Sequence, residues 1–420
     1  MLEHGFARPS VITRLRGGPL GPHLETLATT LHQRGYARNS IRGYLRACAQ
    51  FGRWLAQQGY TIAEVDATLV TRYIRGLPQP PVGRSPKAAA GLPHLLTLWQ
   101  QQGLLPPAAQ PPPRTAADHW LEQYTQYLEH VCGTAASTRT RYLRIITRFL
   151  STRFLSACGD TRAQGWSALQ AQDITTFIHR EAATTHGAGR KMPSVAVRSF
   201  LRFLVGCGEL SPGLQAAAPT ARQWTHAPLP QRLTAEEVDR VLVPSSGETP
   251  KALRNHALLL LLARLGLRAH EVAALCLDDL DWQGGRILIR PGKTHQARVL
   301  PLVQDVGQAI AAYLERGRPA TTSRHVFLAC RAPFQPLTDA TAISRIAIRA
   351  LRRAGVTSHL RLGAHTFRHT AASQMVNRGA SFKEVADVLG HRALQTTGIY
   401  AKLDLDALVA VALPWMGETL

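Results

Sequence analysis

Apolar residues recur at helical spacing through most of this chain. Positions i, i+3, i+4 and i+7 repeat over residues 23–107 and again over 118–219. Proline breaks the pattern at Pro106–Pro113 and at Pro228 and Pro230. The expected organisation is a leader over 1–22, an extra helical domain over 23–107, and a Pro-rich linker over 108–117. A second helical domain over 118–219 and a linker over 220–233 come next, then a mixed α/β region over 234–402 and an apolar tail helix over 403–420.

The two helical stretches resemble each other. Gly35 to Ser40, Tyr44-Leu45-Arg46 and Phe51 match Gly133 to Thr138, Tyr142-Leu143-Arg144 and Phe149, all 98 residues on. Leu69 to Ile74 resembles Asp173 to Ile178, and Gly103 to Pro107 resembles Gly208 to Pro212.

In the mixed region, Thr234-Ala235-Glu236-Glu237 starts a helix with a cap and an acidic first turn. The apolar run around Ala257–Ala263 predicts a buried helix that Gly266 ends, and Arg268–Leu275 starts another. Arg286–Arg290 and Arg298–Leu302 read as paired strands, with His325–Leu328 as a third. Helices are expected over Thr338–Ala354, Thr366–Arg378 and Ser381–Leu389.

Charge narrows the function. The chain carries 49 Lys and Arg against 27 Asp and Glu, a net charge of +22. A polyanionic partner is implied, nucleic acid first and anionic membrane second. No stretch approaches the roughly 18 apolar residues of a membrane span, and the first 22 residues lack a signal-peptide core. A cytoplasmic, nucleoid-associated location is expected. The six cysteines form no C-x-x-C pair and no zinc-like set with histidine. Basic residues gather on helices of the second domain: Arg139, Arg141, Arg144 and Arg148, then Arg190, Lys191, Arg198 and Arg202. Such faces either lie on phosphates or are simply solvated.

Five short motifs carry candidate chemistry. Gly266-Leu267-Arg268-Ala269-His270-Glu271-Val272 puts Glu271 three residues after Arg268, on one helical face. Lys293 sits at the tip of the expected hairpin. His365-Thr366-Phe367-Arg368-His369 starts a helix, Leu389-Gly390-His391 follows, and Tyr400 lies nine residues beyond His391.

In this order the motifs resemble the tyrosine recombinase, or phage integrase, family, strongly over 234–416 and more weakly over 118–219 as the family's core-binding domain. The resemblance implies a mainly α fold with a small antiparallel sheet: helical N-terminal DNA-binding domains, then a mixed α/β integrase-type catalytic domain. It implies that Tyr400 attacks a DNA phosphate and forms a 3′-phosphotyrosyl bond. Arg268, Arg368 and His391 would stabilise the phosphate's charge, His365 would assist the tyrosine, and Lys293 would protonate the departing 5′ oxygen. Glu271 and His369 would support, and no ATP, metal or other cofactor is expected. The implied partners are double-stranded DNA, sister subunits in a tetramer on DNA with the tail docked in trans, and other recombinases of a mobile element. Two other readings remain: a type IB topoisomerase acting alone, and a DNA-binding protein without catalysis. The domain over 23–107 departs from the family, whose extra N-terminal domain is commonly small and contains a sheet.

Overall fold

The N-terminal region is built from α1 (Pro9–Arg16), α2 (Gly21–Gln33), α3 (Arg38–Gln58), α4 (Ala67–Arg75) and α5 (Lys87–Gln101). In α3, Ile41, Leu45, Cys48, Phe51 and Leu55 recur every three or four residues and are buried. They pack with Leu24, Leu27, Leu31, Leu95 and Trp99 in one core. The segment expected as a leader belongs to that core: Leu2, Phe6, Ile12, Leu15 and Leu20 are all buried in it. With two buried residues in eight, α1 is too short to announce itself by periodicity.

The structure is a computed structural model. It describes residues 2–6, 8–77, 87–105, 115–156, 166–185, 187–219, 232–243, 247–291, 297–356 and 362–390. The linker prolines, Lys293, His391, Tyr400 and the apolar tail over 403–420 lie outside the described residues.

The central region has α6 (Ala116–Gln126), a π-helical turn (Tyr127–Val131), α7 (Ala136–Ser156), α8 (Ala171–Ala183) and α9 (Met192–Gly206). Its core gathers Tyr124, Ile146, Phe149, Phe177, Phe200 and Leu204. Thr115 and Asp118 cap α6 reciprocally. Residues Gln110–Ala227 form one unit, and Met1–Ala109 with Pro228–Leu420 form a discontinuous second. The N-terminal and C-terminal regions, expected as separate domains, thus share a unit while keeping separate cores.

The C-terminal region holds α10 (Ala235–Leu242), α11 (Pro250–Arg264), α12 (Ala269–Ala274), β1 (Leu280–Asp281), β2 (Arg286–Ile289) and β3 (Arg298–Pro301). Then come α13 (Gln304–Arg316), α14 (Ala340–Arg353), α15 (Ala364–Asn377) and α16 (Phe382–Leu389). α11 is buried on nearly every side from Ala257 to Ala263, because α13, α14 and α15 pack around it. The antiparallel sheet has the order β1-β2-β3, with Ile287 opposite Leu300 and Ile289 opposite Arg298. The third strand is Leu280–Asp281. His325–Leu328, expected in that role, makes only isolated bridges, Cys276 to His325 and Leu328 to Pro336. Val326, Phe327 and Leu328 are all buried, so the chain threads the core there instead of alternating across a sheet. The whole is mainly helical with one small antiparallel sheet.

Candidate active site

α11 ends at Arg264, and Gly266, two residues on, has a φ of 60° that suits glycine and turns the chain toward Arg268. A Cβ at Gly266 would stand 2.8 Å from Leu389 Cδ2, so α16 approaches closely there. Arg268 precedes α12, and its backbone N–H donates to Glu271 Oε2 at 2.8 Å. Its Nη1 donates to Glu271 Oε1 at 3.1 Å and to the Leu389 carbonyl at 3.1 Å, and its Nη2 donates to the Gly390 carbonyl at 3.1 Å.

Arg368 reaches the same place from α15. It is buried, donating from Nη1 to the Gly266 carbonyl at 2.8 Å and from Nη2 to the Leu389 carbonyl at 2.7 Å. The two guanidinium groups therefore share one acceptor. A third arginine joins them. Arg298, at the start of β3, donates from Nε to the Val388 carbonyl at 2.8 Å and grips Glu271 with two bonds, at 3.0 and 2.9 Å. The negative end of α16's dipole thus meets three cations. Burial alone would push the Glu271 carboxyl up, but Arg298 and then Arg268 outweigh it and bring it down to about 2.

His365 lies in the first turn of α15, three residues before Arg368. Desolvation, then Arg368 and Arg268, push its imidazole below the usual histidine range. His369 is lowered too, by desolvation, His365 and Arg368. A depressed pKa keeps these rings neutral near pH 7, so His365 can accept a proton.

Of the expected site residues, Arg268, Glu271, His365, Arg368 and His369 come together. Lys293, His391 and Tyr400 are outside the described residues, but their flanks are informative. β2 and β3 bracket the loop of Lys293, and the arginine-bound carbonyls of α16 end one residue before His391. Arg298, which fits the family position less well than its neighbour Lys293, also joins the site, through Glu271. Its only sequence sign is its proximity to Lys293, after a hairpin turn.

Among the basic residues of the central domain, Arg139 pairs with Glu129 at 3.0 Å and donates to the Thr134 carbonyl. Arg198 is part-buried and donates to the Ala218 carbonyl at 2.6 Å. These two are engaged within their own domain. Arg141, Arg144 and Lys191 line an open cleft of about 580 Å³ between α7 and the start of α9, with Arg148 beside them. Arg190 stands next to it and donates to the Thr185 carbonyl at 3.1 Å.

Comparison with known proteins now decides the family. The profile described as the phage integrase family matches residues 231–406. A Sinorhizobium fredii protein named as an integrase/recombinase, y4rA, is 36% identical over 97% of this chain and 97% of its own length. The chain belongs to the phage integrase family of tyrosine recombinases. Tyrosine recombinase XerD of Mycobacterium tuberculosis is 30% identical, over 70% of this chain and 96% of its own. A likeness of fold extends to the XerH site-specific recombinase, solved with its palindromic difH substrate after cleavage, with a TM-score of 0.54. It has 21% identity and covers 71% of this chain and 87% of XerH. The integrase-family match spans the arginine cluster, both strands that bracket Lys293, and the positions of His391 and Tyr400.

Proposed function

We propose that this recombinase binds specific sites in duplex DNA, cleaves them through Tyr400, and rejoins the strands in a new pairing. The observation that carries the reading is the convergence of Arg268 and Arg368 on the Leu389 carbonyl, two residues before His391 and eleven before Tyr400. Two forked guanidinium groups this close form a site for the nonbridging oxygens of a phosphodiester. The neutral His365 beside them takes up the tyrosine proton, since a phenol with a reference pKa near 10 needs help to attack at neutral pH.

The Tyr400 oxygen forms a bond to phosphorus as the 5′ oxygen leaves. Lys293 gives that oxygen its proton, and the 3′-phosphotyrosyl bond conserves the energy of the original ester. Attack by a free 5′ hydroxyl from a second duplex reverses the step and exchanges strands. Exchange between two duplexes cuts four strands, which calls for four nucleophiles and so a tetramer. The basic cleft of the central domain supplies phosphate contacts that position the duplex. The two matched recombinases and the fold shared with DNA-bound XerH support this reading. So does the extent of the y4rA likeness, which includes the N-terminal domain.

The test is covalent trapping. Wild type and Tyr400→Phe are incubated with labelled, nicked duplexes from the flanks of the protein's own gene and quenched in SDS. A labelled adduct with wild type alone is expected, and it maps the cleavage position. An adduct that persists in Tyr400→Phe removes Tyr400 from its role, and tight binding with no adduct would favour a non-catalytic DNA-binding protein.

A further inference from the structure

The N-terminal region repeats the central one in three dimensions. α3 and α7 have 21 residues each, with bounds 98 apart, and α5 and α9 have 15 each, 105 apart. α3 packs against α2 and α5, and α7 packs against α6 and α9 in the same way. Phe51 meets Tyr73 with ring centroids 4.9 Å apart, and their counterparts Phe149 and Phe177 meet at 5.0 Å. Gly35 and Gly133 end matching helices with positive φ, as do Gly103 and Gly208.

The copy has its own basic face. Arg38, Arg42, Arg46 and Arg53 fall within about 80° of arc on α3 at 100° per residue, and α3 contains no acidic residue. Arg38, Arg46 and Arg53 are exposed and Arg42 partly so. Arg46 lies over the Phe6 ring at 5.5 Å, which steadies it without neutralising it. Residues 1–109 hold twelve Arg and Lys but only four Asp and Glu. Those four have local duties: Glu3 and Glu25 pair with Arg16, Glu64 bonds Thr61, and Asp66 caps α4. Among the described residues, no acidic side chain is paired with the α3 stripe. Only Arg46 matches an arginine of α7, Arg144, while Arg38, Arg42 and Arg53 stand where the central copy has Ala136, Thr140 and Ser151. The charge is therefore not a remnant of the shared pattern.

We infer that the N-terminal domain is a second duplex-DNA-binding module, whose α3 arginines hold phosphates outside the stretch gripped by the rest of the chain. The inference rests on the recombinase reading above. On its solvent side the stripe is bordered by Asn39, Gln50 and Gln57, while Ile41 and Leu45 on its other side are buried in the core, which suits a phosphate backbone better than a protein partner.

The experiment compares full-length wild type with Arg38→Ala/Arg42→Ala/Arg53→Ala. Two duplexes centred on the trapped cleavage position are used, one long and one trimmed to the core. For the triple variant on the long duplex, the outer part of the footprint is lost. The slope of log Kd against log salt falls by about 2 to 3, near 0.9 for each phosphate contact removed. Binding to the core duplex and the Tyr400 adduct on it are unchanged. The triple Arg→Lys variant retains the long footprint, since it keeps the charges. Unchanged footprint and slope, or equal losses on both duplexes, overturn the inference while the adduct keeps the recombinase reading. A wild type with neither footprint nor adduct overturns both.

Discussion

The Glu271 carboxylate holds two guanidinium groups at once, Arg268 at 3.1 Å and Arg298 at 2.9 Å, with its own side chain 5% exposed. Arg298 also ties Val388, so one side chain joins the hairpin, α12 and the end of α16. Removing one partner of a buried pair leaves uncompensated charge and costs about 3–5 kcal/mol. Arg298→Ala is expected to lose stability on that scale in chemical unfolding and to lower adduct yield as Arg268 loosens. Arg298→Lys recovers only part of either, because an ammonium cannot make the paired bonds of a planar fork. Full stability in Arg298→Ala would remove this role. The pocket was legible where its parts are contiguous: Arg268 caps α12 three residues before Glu271, and His365 and Arg368 lie three residues apart on α15. Arg298 was not, because a hairpin brings it to Glu271 across 27 positions. The receiving carbonyls of Val388, Leu389 and Gly390 carry no sequence signature, since every residue has such a group.

At the scale of elements, α7 divides its arginines between two tasks. Arg139 braces its own domain through Glu129 and Thr134, whereas Arg141 and Arg144 face the cleft. Arg141→Ala/Arg144→Ala is expected to weaken DNA binding and lower the salt slope by about 2, with the melting temperature nearly unchanged. Arg139→Ala should do the reverse, lowering the melting temperature and leaving the slope intact. A slope that responds to Arg139 alone would reassign the face. Helix amphipathicity made the long helices legible, as the apolar spacing of α3 shows. α1 and β1 escaped notice because eight and two residues give no usable period. The path through Val326–Leu328 misled because a short apolar run reads alike as strand or as buried chain.

For the molecule as a whole, the two helical domains share helix lengths and spacing but carry different basic faces. The offset of 98 between the Gly35 and Gly133 motifs is also the offset between the bounds of α3 and α7. Upstream the count differs by one. Buried Leu31 stands four residues before Gly35, and its hydrogen bond comes from Tyr36. Buried Leu128 stands five before Gly133, and its bond comes from Thr134. The extra residue lies within the π turn Tyr127–Val131. An insertion into an α-helix would otherwise rotate everything beyond it by about 100°, and a π turn absorbs it locally. The π turn thus houses the one residue by which the central domain's first helical segment exceeds its counterpart in α2. Deleting His130 should remove that surplus and leave a protein that melts within a few degrees of wild type. Deleting Gln33, at the matching place in α2 where no residue is spare, should break the Tyr36 to Leu31 bond and lower the melting point sharply. If both deletions behave alike, the π turn does not house the extra residue.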